Sequence, residues 1–123
     1  NNYRFYQFSQ EVETIIKSST LLIAPSINEG FGRIIVESMR LDTLVLASKS
    51  GGHKEIINEN KTGFFAEPDN IEDFYKKAVF ILSLSQKEKK EVASAAKKFA
   101  KINFIHDDII EKILKIYKCP KKY

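Results

Sequence analysis

A single cysteine, Cys119, in 123 residues leaves no partner for an internal disulfide. Small secreted folds stapled by disulfides are thereby excluded, and a reducing compartment suits the chain. Cys119 itself reads as a free thiol near the terminus, without a role. Long hydrophobic runs are also missing. The apolar stretches Leu21–Ala24 and Leu44–Ala47 fall far short of the ~20 residues that a bilayer-spanning helix needs. No basic-then-apolar leader opens the sequence, so the expected location is the cytoplasm, extending at most to the inner face of the membrane. Recognised nucleic-acid fingerprints and interleaved aromatic–basic platforms are absent, which argues against a nucleic-acid partner. Internal repeats and low-complexity linkers are absent too.

What is present fits one soluble globular unit with a real core: 43% of residues are hydrophobic and 29% charged. The formal charge of +4 is unevenly spread. Residues 1–62 hold seven Lys/Arg against seven Asp/Glu, and residues 63–123 hold thirteen against nine. Lys112, Lys115, Lys118, Lys121 and Lys122 give the tail a basic bias. It reads first as a solvated helix face, with peripheral contact to an anionic membrane or to a phosphorylated acceptor as the alternatives.

Hydrophobic patterning predicts an α/β fold. Arg4–Phe8 is a short aromatic run with strand character, and Val12, Ile15 and Ile16 follow at helical spacing behind Ser9 as cap. Leu21–Ala24 reads as a buried parallel strand stopped by Pro25. The Gly30–Gly32 turn opens a helix carrying Ile35, Val36 and Met39 and ending near Asp42. Leu44–Ala47 is a second buried strand, followed by Gly51, Gly52 and a short helix with Glu55. Phe64 and Phe65 supply one more short strand. Beyond them the chain is helical. Asp69 or Asn70 caps a helix whose core face is Ile71, Phe74, Tyr75, Ala78 and Leu82. Ser85–Glu88 is a capping box for the next helix, and a last helix runs from about Asp107 with Ile109, Ile110, Ile113, Leu114 and Tyr117 as its stripe. Alternating strands and helices predict a Rossmann-like parallel sheet with right-handed crossovers. So small a sheet keeps an unpaired edge, which offers a second copy a pairing surface. The small sheet, helices that outnumber what it can shield and, as a minor addition, the missing initiator methionine together lead to the expectation of the second half of a larger α/β domain.

In an open parallel sheet, ligands sit where strand ends lead into helix N-termini. Two such loops occur, Ser26–Gly32 and Ser48–His53. Glycines there let backbone N–H groups approach an anion, and the helix start adds about half a positive charge. Phosphate or pyrophosphate is the natural guest. Yet the phosphate-loop lysine is absent, and "GFGRII" lacks the third glycine of the dinucleotide fingerprint. Glu29 and Glu37 refine the choice, because a carboxylate beside phosphate is favourable only if it faces neutral hydroxyls. A pyrophosphate between two polyhydroxylated rings, as in a nucleotide sugar, fits both features.

"PSINEGFGRIIVESM" (Pro25–Met39) resembles the glutamate–seven–glutamate motif of retaining GT-B glycosyltransferases, glycosyltransferase family 4 above all. "VLASKSGGHKEII" and "NKTGFFAEPDN" follow in the family's order, so the likeness covers at least Thr20 to Leu82. The resemblance implies a partial nucleotide-sugar-binding domain over residues 1–123, from the C-terminal domain of a GT-B enzyme with a helix-rich end. It implies Glu29 at the donor sugar beside the reacting carbon, as the catalytic-site residue. Gly30, Phe31 and Gly32 would serve the sugar and pyrophosphate through their backbone, and Glu37 the ribose hydroxyls. Gly51 and Gly52 would line the phosphate site, and Gln7 and Phe8 would lie near the base. Transfer would be of hexosyl type with retention, assisted by the donor phosphate and without metal or cofactor. The acceptor would be a glycan or lipid-linked sugar held by an N-terminal domain, as in polysaccharide biosynthesis.

The sequence departs from the family at Arg40, Asp42 and Leu44, where alanine, glycine and proline are usual. Asp42 is therefore expected in a left-handed conformation. The chain amounts to about a quarter to a third of an enzyme, judged by ordinary domain sizes, and alone it is expected to be inactive. The alternative is a non-catalytic module that binds nucleotide sugars or another protein. A phosphoacceptor or flavin-type domain would need acidic strand ends or a hydroxyl-rich phosphate loop, which are not evident. Arg33 is expected to face solvent or form a salt bridge. Glu55 is expected to steady its helix's first turn, and His53 and His106 read as polar loop and cap residues rather than metal ligands or bases.

Overall fold

The computed structural model describes residues 2–7 and 9–104. Its centre is β2 (Leu44–Ser48), all five residues of which are buried. β2 pairs in parallel with β1 (Leu21–Ala24) on one side and β3 (Phe64–Ala66) on the other, in the order β1-β2-β3. Leu22 aligns with Val45, and Leu46 with Phe64. Side chains alternate across a strand, so an uninterrupted apolar run requires cover on both faces. Val45, Ala47 and Phe65 face a cluster built with Ile35, Val36 and Met39 of α2 (Arg33–Arg40). Leu44, Leu46, Phe64 and Ala66 face Phe74, Ala78 and Ile81 of α4 (Ile71–Ser83). Full burial stabilises each Val, Leu, Ile, Met or Phe side chain among them by roughly 1.5–3 kcal/mol.

α1 (Val12–Ser18) precedes β1, α3 (His53–Ile56) lies between β2 and β3, and α5 (Gln86–Asn103) follows α4. Buried Ala93, Ala96 and Ala100 bring α5 onto both clusters. Its start is the expected capping box, with Glu88 N donating to Ser85 Oγ and Ser85 N donating to Glu88. Of the two candidates before α4, Asn70 is the cap and accepts from Asp73 N at 2.9 Å.

Three expectations are corrected. No strand occurs at Arg4–Gln7, where Phe5 is 86% exposed. Aromatic character favours a strand only when a neighbouring strand supplies the ladder, and this segment pairs with none among the described residues. α1 begins two residues later than Ser9 suggested. Ser9 Oγ accepts from Glu11 N at 3.0 Å, which satisfies a turn ahead of the helix, and Glu11 holds the cap position. On α4 the covered stripe is Phe74, Ala78 and Ile81, while Ile71, Tyr75 and Leu82 are exposed. α4 rests only one flank on β2 and β3, and these three residues belong to the other flank. Phe8, His106, Cys119, the expected last helix and the basic tail lie outside the described residues.

The left-handed turn at Asp42 is present, with φ 61°. Thr43 N donates to Ser38 O at 3.0 Å and Asp42 N to Met39 O at 3.4 Å. These are the paired bonds of a Schellman ending, which satisfy carbonyls that a helix leaves open. Asp42 also contacts Lys97 of α5 at 2.6 Å, tying the end of α2 to α5. The two effects set a prediction. Asp42→Ala keeps the strained backbone and loses the ion pair, and should lower unfolding stability by about 1–2 kcal/mol. Asp42→Gly relieves the strain while losing the same pair, and should stay within about 1 kcal/mol of the parent. Denaturant unfolding of both variants checks this ordering.

Candidate functional site

Both glycine loops leave the same end of the sheet, one after β1 and the other after β2. They are pressed together. Gly52 N donates to Glu29 O at 3.0 Å. A Cβ built on Gly52 would stand 2.3 Å from Gly30 O, and one on Gly51 would stand 2.6 Å from Glu29 O. Gly51 also has φ +52°. The Gly51–Gly52 pair thus exists to let the second loop lie against the first. Gly30 differs, because a Cβ there meets nothing within 4 Å. The folded chain makes no demand for glycine at that position.

Gly32 is buried at the start of α2, where a Cβ would come within 3.1 Å of His53 Cδ2. Its missing side chain makes room for the imidazole. His53 is fully buried, against the expectation of a polar loop residue. Nε2 lies 3.1 Å from Glu29 Oε2, and Nδ1 lies 3.0 Å from the carbonyl of Ser48. Ser26 Oγ donates to the same Glu29 oxygen at 2.9 Å. Ser48 Oγ donates to the Ser26 carbonyl, and Ser50 Oγ lies 3.1 Å from Ser48 Oγ. The Glu29 side chain is 46% exposed. The bond from His53, then that from Ser26, holds the Glu29 carboxyl below its ordinary value, and partial burial opposes them.

His53 is the residue that the sequence reading missed. The available signal was its spacing: it stands three residues before buried Ile56 on a short helix, and so shares the core-facing side.

Glu37 is not part of this cluster. It pairs with Arg33 one turn earlier on α2, Nε to Oε1 at 3.1 Å, and the Arg33 side chain is 73% exposed. That is the salt-bridged state expected of Arg33. Glu37 borders an open groove of about 630 Å³ between α1, α2 and α5, whose lining includes Val12, Ile16, Lys97 and Lys101 but neither Glu29 nor the glycines. Phe31 is half exposed, and its ring meets Phe104 edge-on at 5.7 Å. Gln7 and Glu55 are exposed. Among the described residues, no three His, Cys, Asp or Glu side chains are placed to hold a metal ion. No helix among them is long and apolar enough to cross a membrane.

Two predictions follow from the loop contact and the carboxylate. Gly52→Ala must move Gly30 backbone and should cost about 1–3 kcal/mol, whereas Gly30→Ala should stay within about 1 kcal/mol of the parent. Thermal unfolding compares them. The lowered Glu29 value means that the folded state favours the carboxylate. Its contribution is complete above the ordinary value of 4.5 and is lost as pH falls through the folded value beneath it. The stability gap between the parent and Glu29→Gln should therefore narrow below pH 4.5, as measured by unfolding at stepped pH.

Comparison with known proteins places this geometry. The family described as "Glycosyl transferases group 1" matches residues 1–99. An uncharacterized glycosyltransferase of Methanocaldococcus jannaschii is 29% identical over 107 residues, which is 87% of this chain and 30% of that protein. The crystal structure of a Rickettsia africae glycosyltransferase superposes with a TM-score of 0.78 at 35% identity, covering 89% of this chain and 30% of that one. Anabaena HepE, solved in complex with UDP, gives a TM-score of 0.78 at 25% identity over 89% of this chain and 30% of its own. The chain spans 24–30% of the length of the first curated relatives it matches. Its parallel sheet flanked by helices matches the Rossmann-like C-terminal domains of GT-B enzymes, and the chain belongs to the group 1 glycosyl transferases.

Proposed function

We propose that this chain is the donor-binding part of a retaining glycosyltransferase of family 4, taking a hexose from a nucleoside-diphosphate sugar to a glycan or lipid-linked acceptor. The observation that carries the reading is the contrast among the glycines. Gly51 and Gly52 are required by the protein's own packing, whereas Gly30 opens onto free space at the foot of α2. A backbone left bare there serves close approach of something outside the chain.

The chemistry follows from the groups around that opening. The N-terminal end of α2 favours the negative pyrophosphate. Glu29 receives both of its hydrogen bonds on Oε2. Oε1 therefore has no protein partner among the described residues and can accept from a sugar hydroxyl. Glu37, farther along α2, would accept from the ribose hydroxyls, sharing its charge with Arg33. The arrangement assigns binding and orientation to this chain. The acceptor and the rest of the phosphate contacts would come from another domain, so the isolated chain should bind the donor without turning it over. The Anabaena protein's complex with UDP supports the choice of ligand class. No step in this scheme uses a metal.

Calorimetric titration of UDP into the 123-residue chain tests the assignment. Weak binding is expected. Loss of one charge-assisted hydrogen-bonding group in Glu37→Ala should weaken it by about tenfold, ~1.4 kcal/mol. Equal affinity in the two forms would remove Glu37 from the ribose site.

A further inference from the structure

The buried imidazole has no place in the donor scheme above, yet it touches the carboxylate on which that scheme turns. Its hydrogen bonds close a circuit. A carbonyl and a carboxylate only accept. The contacts of His53 Nδ1 with Ser48 O at 3.0 Å and of Nε2 with Glu29 Oε2 at 3.1 Å are therefore both hydrogen bonds in the imidazolium form, with a hydrogen on each ring nitrogen. Ser48 Oγ donates to Ser26 O, and Ser26 Oγ donates to Glu29 Oε2. His53 Nε2 reaches the same Oε2 at 3.1 Å and completes the ring of contacts from the end of β2 back to itself. Three residues, Ser26, Ser48 and His53, thereby fix one carboxylate oxygen of Glu29.

Glu29 is the only charged group facing the imidazole among the described residues. The end of β2 presents Ser48 and Ser50, and the α2 side presents the Gly32 backbone and Ile35. On α3 itself, Lys54 and Glu55 are exposed. A buried polar ring with one charged neighbour, held from behind by a backbone carbonyl, has a single rotational setting. A loop carboxylate without such a support would sample several rotamers.

We propose that His53 is the positioning residue for Glu29, locking Oε2 inward so that Oε1 stays presented to the donor sugar. This rests on the reading of Glu29 as the sugar-facing carboxylate. His53 touches no substrate in this scheme and acts only through Glu29.

Two measurements on the 123-residue chain separate the claims. The first records the ring ¹⁵N resonances of His53 in the parent and in Glu29→Ala. The Nε2 resonance should shift while Nδ1 keeps its protonated position, and an unmoved Nε2 would overturn the contact. The second compares UDP-glucose with UDP as probes in parent, Glu29→Ala, His53→Leu and His53→Gln, each first shown folded by circular dichroism. His53→Leu should leave UDP affinity near the parent's and lose the added affinity of UDP-glucose, a change of up to about tenfold. His53→Gln, which retains a donor at the Nε2 position, should recover part of it. If Glu29→Ala loses the UDP-glucose preference while His53→Leu keeps it, the positioning role is wrong. If Glu29→Ala itself keeps that preference although Nε2 shifts, the sugar-facing reading of Glu29 is wrong, and the role built on it falls too.

Discussion

The arrangement depends on one backbone contact, the hydrogen bond from Gly52 N to Glu29 O at 3.0 Å. It joins the loop after β2 to the loop after β1, two segments twenty-odd residues apart in sequence. Such closeness is sterically available only because Gly51 and Gly52 carry no Cβ. Once the loops are docked, His53 lies directly behind Glu29. The carboxylate's orientation, the room beside Gly32 and the opening at Gly30 are consequences of the same docking. The site is therefore built by packing first and by charge second.

This ordering explains why a four-residue helix matters. α3 is too short to be stable by itself, and it holds together through buried His53 and Ile56 rather than through its own hydrogen bonds. In most short connecting helices the first buried position could be any apolar residue of suitable size. Here a titratable ring fills it, and burial without partners would cost several kcal/mol. Each ring nitrogen has a partner instead, and one of those partners is the half-exposed carboxylate. The core and the candidate site share a residue, so core packing and the orientation of the Glu29 carboxylate are coupled at His53.

Much of the fold could be read directly from residue patterns, and the failures have physical causes. Leu44–Ala47 declared a doubly covered strand because no polar residue interrupts it, and β2 is the central strand. Ser85 and Glu88 declared a helix start through local chemistry that needs no tertiary partner. Asp42 declared its left-handed turn because it stands where the family has glycine. The failures needed information from elsewhere in the chain. Arg4–Gln7 has strand-like composition but pairs with no strand among the described residues. α4 has apolar residues on two flanks, and only the position of β2 and β3 decides which flank is covered. For the candidate site, Glu29 and the glycines were identifiable through the ordered motif, whereas the depth of His53 depends on how two loops meet.

The same reasoning separates the two glutamates, which the motif presents as a pair. Glu37 sits on a regular helix, and its neighbour Arg33 lies one turn away by helical geometry alone. Its setting needs only that helix and not the meeting of two loops. Glu29 sits in an irregular loop beside Asn28, which has φ 59°, and its setting exists only when both loops and α3 are in place. A carboxylate that must meet a reacting sugar needs finer orientation than one that accepts from a ribose. The structure gives the buried, cross-linked support to Glu29 and leaves Glu37 with an exposed pair. That asymmetry is what a division of labour between orienting a sugar and gripping a nucleotide would demand of the two positions.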